Sequence, residues 1–120
     1  MPSMMRKHQP PKNFFRLPNS VFALPLDAVQ FKLYTHLVRR SGSKGYCWPA
    51  LKAIIRDTGI KKSSLQKAFK VLKARRLIAV QKHRNPYGYA NNEYHLLSLE
   101  NPEIYRQPEA LPLTGEEEPV

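Results

Sequence analysis

The chain has 120 residues, 42% of them hydrophobic and 24% charged, with a formal net charge of +11. That length suits one domain, and a single cysteine excludes an intrachain disulfide and fits a reducing cytoplasm. No apolar run approaches the ~20 residues that span a bilayer. The basic start MPSMMRKHQPPK is not followed by the apolar core of a secretory signal. No membrane role is expected, and a bacterial, phage or plasmid cytoplasm is the simplest home. The charge is unevenly spread. Residues 1–100 hold 19 Lys and Arg against 4 Asp and Glu, a balance of +15, whereas residues 101–120 hold 1 against 5, a balance of −4. A basic body calls for an anionic partner, most often nucleic acid.

Residues 1–13 are polar and basic and are interrupted by Pro2, Pro10 and Pro11. They are expected to be a disordered arm, either idle in solvent or lying along phosphates or in a minor groove. Residues 14–24, FFRLPNSVFAL, are apolar. Phe14, Phe15 and Phe22 are expensive to expose, so they are expected to pack across the core or against a second copy, giving a homodimer through this segment. A helix is expected over 26–40, with Asp27 in its first turn and Arg39 and Arg40 in its last. Leu26, Val29, Leu33 and Leu37 form its stripe, widened by Phe31, Tyr34 and Val38. The run SGSKG then reads as a loop, and Tyr46, Cys47 and Trp48 as a short strand before Pro49, which is placed to be the first residue of the next helix.

Residues 48–80 carry the strongest pattern. Leu51, Ile54, Ile55 and Thr58 fall at i, i+3, i+4 and i+7, and so do Leu65, Ala68, Phe69 and Leu72. Between the two sets lies Gly59, which can take the positive φ that ends a helix. Two short amphipathic helices joined by a Gly-containing turn are the signature of a helix-turn-helix. The second helix is expected over about 62–76. Strands are expected over 77–82 and 93–99, joined by the turn-rich loop HRNPYGYANN. Strand, loop and strand directly after the second helix make a wing, to which Tyr46 to Trp48 can add a third strand. The expected fold is therefore mainly α with a small β-hairpin: a winged helix-turn-helix of three-helix core plus wing, spanning 14–100. Residues 101–120, with four prolines and the run GEEE, read as a disordered acidic tail that either solubilises the chain or folds back over its basic face.

The segments Trp48-Pro49-Ala50, Gly59-Ile60-Lys61, Leu72 and Arg76-Leu77-Ile78 resemble the winged helix-turn-helix domains of bacterial plasmid and phage replication initiators and replisome organisers. Small helix-turn-helix regulators share the same core. FFRLPNSVFALPLDAVQFKLY and Asn92-Glu93-Tyr94-His95-Leu96 resemble the lead-in and the last wing strand of such initiator domains. The resemblance implies double-stranded DNA as partner and a role in transcription regulation or replication initiation on a mobile element. Two positions depart from the family pattern. Lys61 stands where a Ser or Thr cap is usual; Ser63 or Ser64 could cap instead, which would start the helix about two residues later. Arg76 stands where Gly is usual, so the argument for a positive φ at that corner is lost.

In a docked helix-turn-helix the N-terminal part of the second helix meets base edges in the major groove. That makes Ser63, Ser64, Gln66, Lys67 and Lys70 the base-contact candidates; Gln can bond adenine and Lys can bond guanine. No acidic residue occurs between Asp57 and Glu93. Lys61, Lys62, Lys73, Lys82 and Arg84 are phosphate candidates, together with Tyr46, Trp48 and Lys52 near the start of the first helix of the pair. Tyr87, Tyr89 and Asn91 form the wing tip, and the two tyrosines either stack on bases or pack on the hairpin. Cys47 has no partner for nucleophilic chemistry. His8, His36, His83 and His95 lack metal-ligand spacing. There is no Gly-rich phosphate loop, and the acids are too few for a metal-dependent nuclease. Neither metal, cofactor nor enzymatic activity is expected. Two alternatives stand beside duplex binding: a protein-interaction or oligomerisation module on the same scaffold, and a single-stranded nucleic-acid or RNA binder using Tyr87, Tyr89 and the basic face.

Overall fold

Asp27 opens the first helix from outside it. In a computed structural model that describes residues 13–84, 86–87 and 90–106, α1 spans Ala28–Ser41. Asp27 Oδ1 accepts the Gln30 N–H at 2.7 Å, and Gln30 Oε1 accepts the Asp27 N–H at 3.1 Å, a capping box. The expected start at 26 is corrected accordingly: the short carboxylate satisfies an orphan helix donor and so sits at the cap. Gly42, at φ 55°, ends α1 just after Arg39 and Arg40. Strand β1, Tyr46–Cys47, follows, then α2, Leu51–Thr58, and α3, Lys62–Ala74. Pro49 does not open α2. The first helical bonds, from the Ala53 and Ile54 N–H groups, run to the Ala50 carbonyl.

Gly59 makes the turn. Its φ is 73°, and its N–H bonds the Ile55 carbonyl at 2.8 Å. Thr58 Oγ1 donates to the Ile54 carbonyl and accepts the Ile60 N–H, which closes the corner. Lys61 is the N-cap of α3, without a side-chain cap bond, and the later start at Ser63 or Ser64 does not occur. Ile60 and Leu65 explain this. They hold the two positions of a hydrophobic staple and both are buried in the core, so packing fixes the helix start that a cap would otherwise fix.

At the far end of α3 the Leu77 N–H bonds the Leu72 carbonyl and the Arg76 N–H bonds the Lys73 carbonyl, each at 3.0 Å. That pairing is a Schellman motif. Arg76 takes φ 61°, so the corner has the positive φ that its side chain argued against. Leu72 and Leu77 are both fully buried and hold it there. A left-handed non-Gly residue is strained by roughly 1–2 kcal/mol, part of which Gly gives back through its greater freedom when unfolded. Arg76→Gly should therefore stabilise the domain by about 0.5–1 kcal/mol. Thermal unfolding should register this as a rise in Tm of about 4 °C.

Strands β2, Ile78–Arg84, and β3, Ala90–Leu96, form an antiparallel hairpin, and β1 pairs with the other edge of β3. Tyr46 and Ala79 both lie opposite His95. Side chains alternate across the sheet. Cys47, Ile78 and Tyr94 point into the core, and Tyr94 stacks on Phe69 of α3 with centroids 4.8 Å apart. Leu33 and Leu37 of α1, Ile54 of α2, and Leu65 and Leu72 of α3 are fully buried with them, while Leu51, Ile55 and Phe69 are half-buried at the rim.

Two segments outside these elements behave differently from expectation. A 3-10 turn, Asn19–Ala23, seats Val21 in the core, and Leu24 follows it there; three residues per turn put those two inward and Phe22 outward. Phe14 is 69% exposed, Phe22 is 73% exposed and Phe15 is also exposed, so none of the three packs across the core. Phe22 meets only the rim, 5.4 Å from Phe31. Beyond residue 100 a second 3-10 turn, Pro102–Tyr105, buries Ile104. Tyr105 donates to the Leu99 carbonyl at 2.7 Å, and Arg75 Nη2 to the Arg106 carbonyl at 2.6 Å. The packed chain thus runs past the expected boundary at 100. Among the described residues no helix is long and apolar enough to cross a membrane. Three helices closed by the hairpin make a winged helix-turn-helix.

Candidate nucleic-acid interface

The phase of α3 sets the site. Burying Leu65, Ala68 and Leu72 turns Ser63, Gln66, Lys67, Lys70 and Lys73 outward, and all five are exposed. Ser64 is half-buried, because one residue turns the helix by about 100° and carries it to the border of that face. Lys61 and Lys62 are exposed at the N-terminal end of α3, where the helix dipole is positive, and Lys52 is exposed on α2.

The hairpin makes this convex face into one wall of a groove. Val80, Lys82, Asn92 and Tyr94 come from the strands, Gln66, Phe69, Lys70 and Lys73 from α3, Leu51 from the first turn of α2, and Pro49 and Ala50 from the residues before it. Together with Asn91 they line a space of ≈ 640 Å³. The groove has an apolar floor and three lysines, and none of the described residues lining it is acidic. It joins two expected base contacts, Gln66 and Lys70, to two expected phosphate contacts, Lys73 and Lys82. The acid nearest the turn is already engaged. Asp57 pairs with Arg40 at 3.2 Å and Arg56 at 3.0 Å. The Arg56 hydrogen bond, more than any other contact, holds its carboxyl below the usual carboxylate range.

Tyr46 and Trp48 are placed differently from the lysines. Tyr46 stands on the outer face of the sheet, opposite to Cys47 and Tyr94, with its ring stacked between Trp48 (5.7 Å) and His95 (5.3 Å). Lys44 Nζ lies 4.9 Å from the Trp48 ring centroid and 5.6 Å from that of Tyr46. Trp48 is 37% exposed, beside Pro49 of the groove. On its other side it lines a hollow of ≈ 250 Å³ with Arg40, Lys44, Cys47 and Pro49. The sequence did not single out Lys44, Gln81, Asn92 or His95 as site residues. Period-two alternation around Tyr94 was the available signal for His95.

At the wing, Asn91 Nδ2 donates to the Trp48 carbonyl at 3.4 Å, tying β3 to the end of β1. Tyr87 is 83% exposed. The Arg84 side chain, Tyr89, the arm at 1–12 and the tail from 107 onward lie outside the described residues. Burial pushes the Cys47 thiol up, and its Sγ donates to the Leu37 carbonyl at 3.7 Å, so it stays protonated. Among the described residues no group of three or more His, Cys, Asp or Glu is placed to hold a metal.

No curated protein and no solved structure matches the chain. Residues 26–78, which take in α1, β1, α2, α3 and the first residue of β2, match the family model of a helix-turn-helix domain.

Proposed function

We propose that the chain binds double-stranded DNA, without enzymatic activity, by laying the N-terminal half of α3 in the major groove. The observation that carries this is the outer face of α3: exposed Ser63, Gln66, Lys67 and Lys70, no acid in the sequence between Asp57 and Glu93, and a basic groove alongside. In this docking Gln66 and Lys67 read base edges, with Ser63, Ser64 and Lys70 around them. Lys52, Lys61, Lys62, Lys73, Lys82 and Arg84 hold phosphates. The biological role is transcription regulation or assistance at replication initiation, in the cytoplasm of a bacterium and on a mobile element; the Trp48-Pro49-Ala50 and Arg76-Leu77-Ile78 resemblance supports it. A mobility-shift titration across salt tests the binding. Each neutralised phosphate adds ~0.9 to the slope of log affinity against log salt, so a steep negative slope is expected and a flat response overturns the proposal.

A specific observation favours a dimeric form. Phe14 and Phe22, both in the segment before α1, remain open to solvent, and exposed apolar surface favours a second copy. Two copies so joined would present two α3 helices to successive turns of the duplex. Light scattering should report a dimer mass that Phe14→Ser/Phe22→Ser reduces to the monomer. A strict monomer for the parent chain at high concentration removes this reading.

A further inference from the structure

Tyr46 and Trp48, expected as phosphate contacts, stand not beside the α3 lysines but stacked on each other at the outer face of the sheet, opposite the face whose Tyr94 lines the α3 groove. We propose that this outer face is a stacking platform for the unpaired bases of a single nucleic-acid strand, separate from the duplex site. Three aromatic rings stand on it in a row: Trp48, Tyr46 and His95, with interplanar angles of 26° and 18° at the two steps. Nearly parallel rings form a stack that another flat ring can extend at its His95 end. At the His95 end the next position across the sheet is Ala79, which lies opposite His95 on β2 and is exposed. Its side chain is only a methyl group, so no bulky side chain at that position covers the strand beside the imidazole. Gln81 Nε2 lies 3.1 Å from His95 Nε2 and donates to Glu93 Oε1 at 2.8 Å. With its amide nitrogen so engaged, Gln81 keeps its side-chain oxygen to accept from a base edge.

Charge selects a nucleic-acid strand over an uncharged aromatic ligand. Lys44 sits over the Tyr46 and Trp48 rings, while Arg40, in the hollow beside Trp48, is ion-paired with Asp57. The one acid on the face, Glu93, is drawn in: its side chain is 12% exposed and lies 3.0 Å from His95. Aromatic stacking with cations along the backbone path is the chemistry by which single strands are held without sequence readout. A paired base cannot use it, because both of its faces are already stacked within the duplex. The strand is DNA or RNA; the chemistry is shared, and both are probed.

Trp48 is the single tryptophan, so its fluorescence reports from the row itself. Oligo-dT and oligo-U of about 12 nucleotides, within the usual range of site sizes, should quench it saturably. Labelled oligomers then give affinities by anisotropy. Ala79→Glu, which sets a carboxylate on an exposed strand position beside the imidazole, should weaken single-strand binding about tenfold or more and leave duplex binding within about twofold. His95→Ala should do the same. Gln66→Ala/Lys67→Ala should have the reverse pattern, so failure here and failure of the duplex proposal are distinguishable. Absence of quenching overturns the proposal. So does loss of both ligands together in every variant, which would put single strands on the α3 face. A His95→Ala variant with lowered Tm and unchanged single-strand affinity would also overturn it, making the row a device that only holds β1 to β3. The preference between dT and U assigns the strand.

Discussion

Replacing Gln66 and Lys67 together by alanine should leave the domain folded and remove the site preference that the proposed docking gives it. Both side chains are exposed on α3, and alanine is the best helix former, so stability should hold or rise slightly. Each well-formed base contact discriminates by about 1–3 kcal/mol. Losing two should lower specific affinity roughly 100-fold or more, at about 1.4 kcal/mol per decade. Affinity for random duplex should change little, because the proposed phosphate contacts Lys61, Lys62, Lys73 and Lys82 are unaltered. Competition mobility shifts with specific and random duplex measure the ratio. Lys73→Ala/Lys82→Ala is the contrasting pair: it removes two cations from the groove wall, so both affinities should fall together and the salt slope should shrink by about 2. A specificity ratio unchanged in the Gln66/Lys67 variant would place base readout off this face.

The sequence shows α3 clearly because several signals agree there. Leu65, Ala68 and Leu72 repeat at helical spacing, Gly59 marks the turn, and the burial of all three leucine-side positions follows. It shows less where one interaction overrides a local rule. Lys61 is a poor cap and Arg76 a poor left-handed residue, yet Ile60 with Leu65 and Leu72 with Leu77 hold both corners by packing. The hairpin extends past its apolar pattern for a similar reason. Apolar alternation ends near Val80, but the backbone ladder continues through Lys82 opposite Asn92 to Arg84 opposite Ala90. Hydrogen bonding of main chain to main chain leaves no mark in side-chain hydropathy. The phenylalanines mislead in the other direction. Their size argues for burial, and the 3-10 period of Asn19–Ala23 gives the interior to Val21 instead. The aromatic row on the outer sheet face could not be read from sequence, because Tyr46 and His95 meet only through the pairing of β1 with β3.

Leu65→Ala should have the largest effect on stability, and the way it affects DNA binding separates core from surface roles in α3. Leu65 is fully buried, its N–H closes the first turn of α3 on the Lys61 carbonyl at 3.0 Å, and it forms the inner half of the staple with Ile60. Truncating a buried leucine costs about 2–5 kcal/mol, from lost burial and from the cavity left behind. A small domain has only about 5–15 kcal/mol in total. Since about 1 kcal/mol moves Tm by 4–8 °C at this size, Tm should fall by roughly 10 °C or more. The start of α3 should loosen with it, because no side chain caps Lys61. DNA binding should then vanish near the lowered Tm and return on cooling to a temperature where the variant is folded, since none of Ser63, Gln66, Lys67 and Lys70 has been altered. The Gln66/Lys67 variant should behave oppositely, with Tm preserved and specificity absent at every temperature. Calorimetry paired with binding isotherms at two temperatures distinguishes them. A Leu65→Ala protein with near-parental Tm would mean that the staple does not hold the helix start, and the register of the whole DNA-facing surface would have to be reassigned.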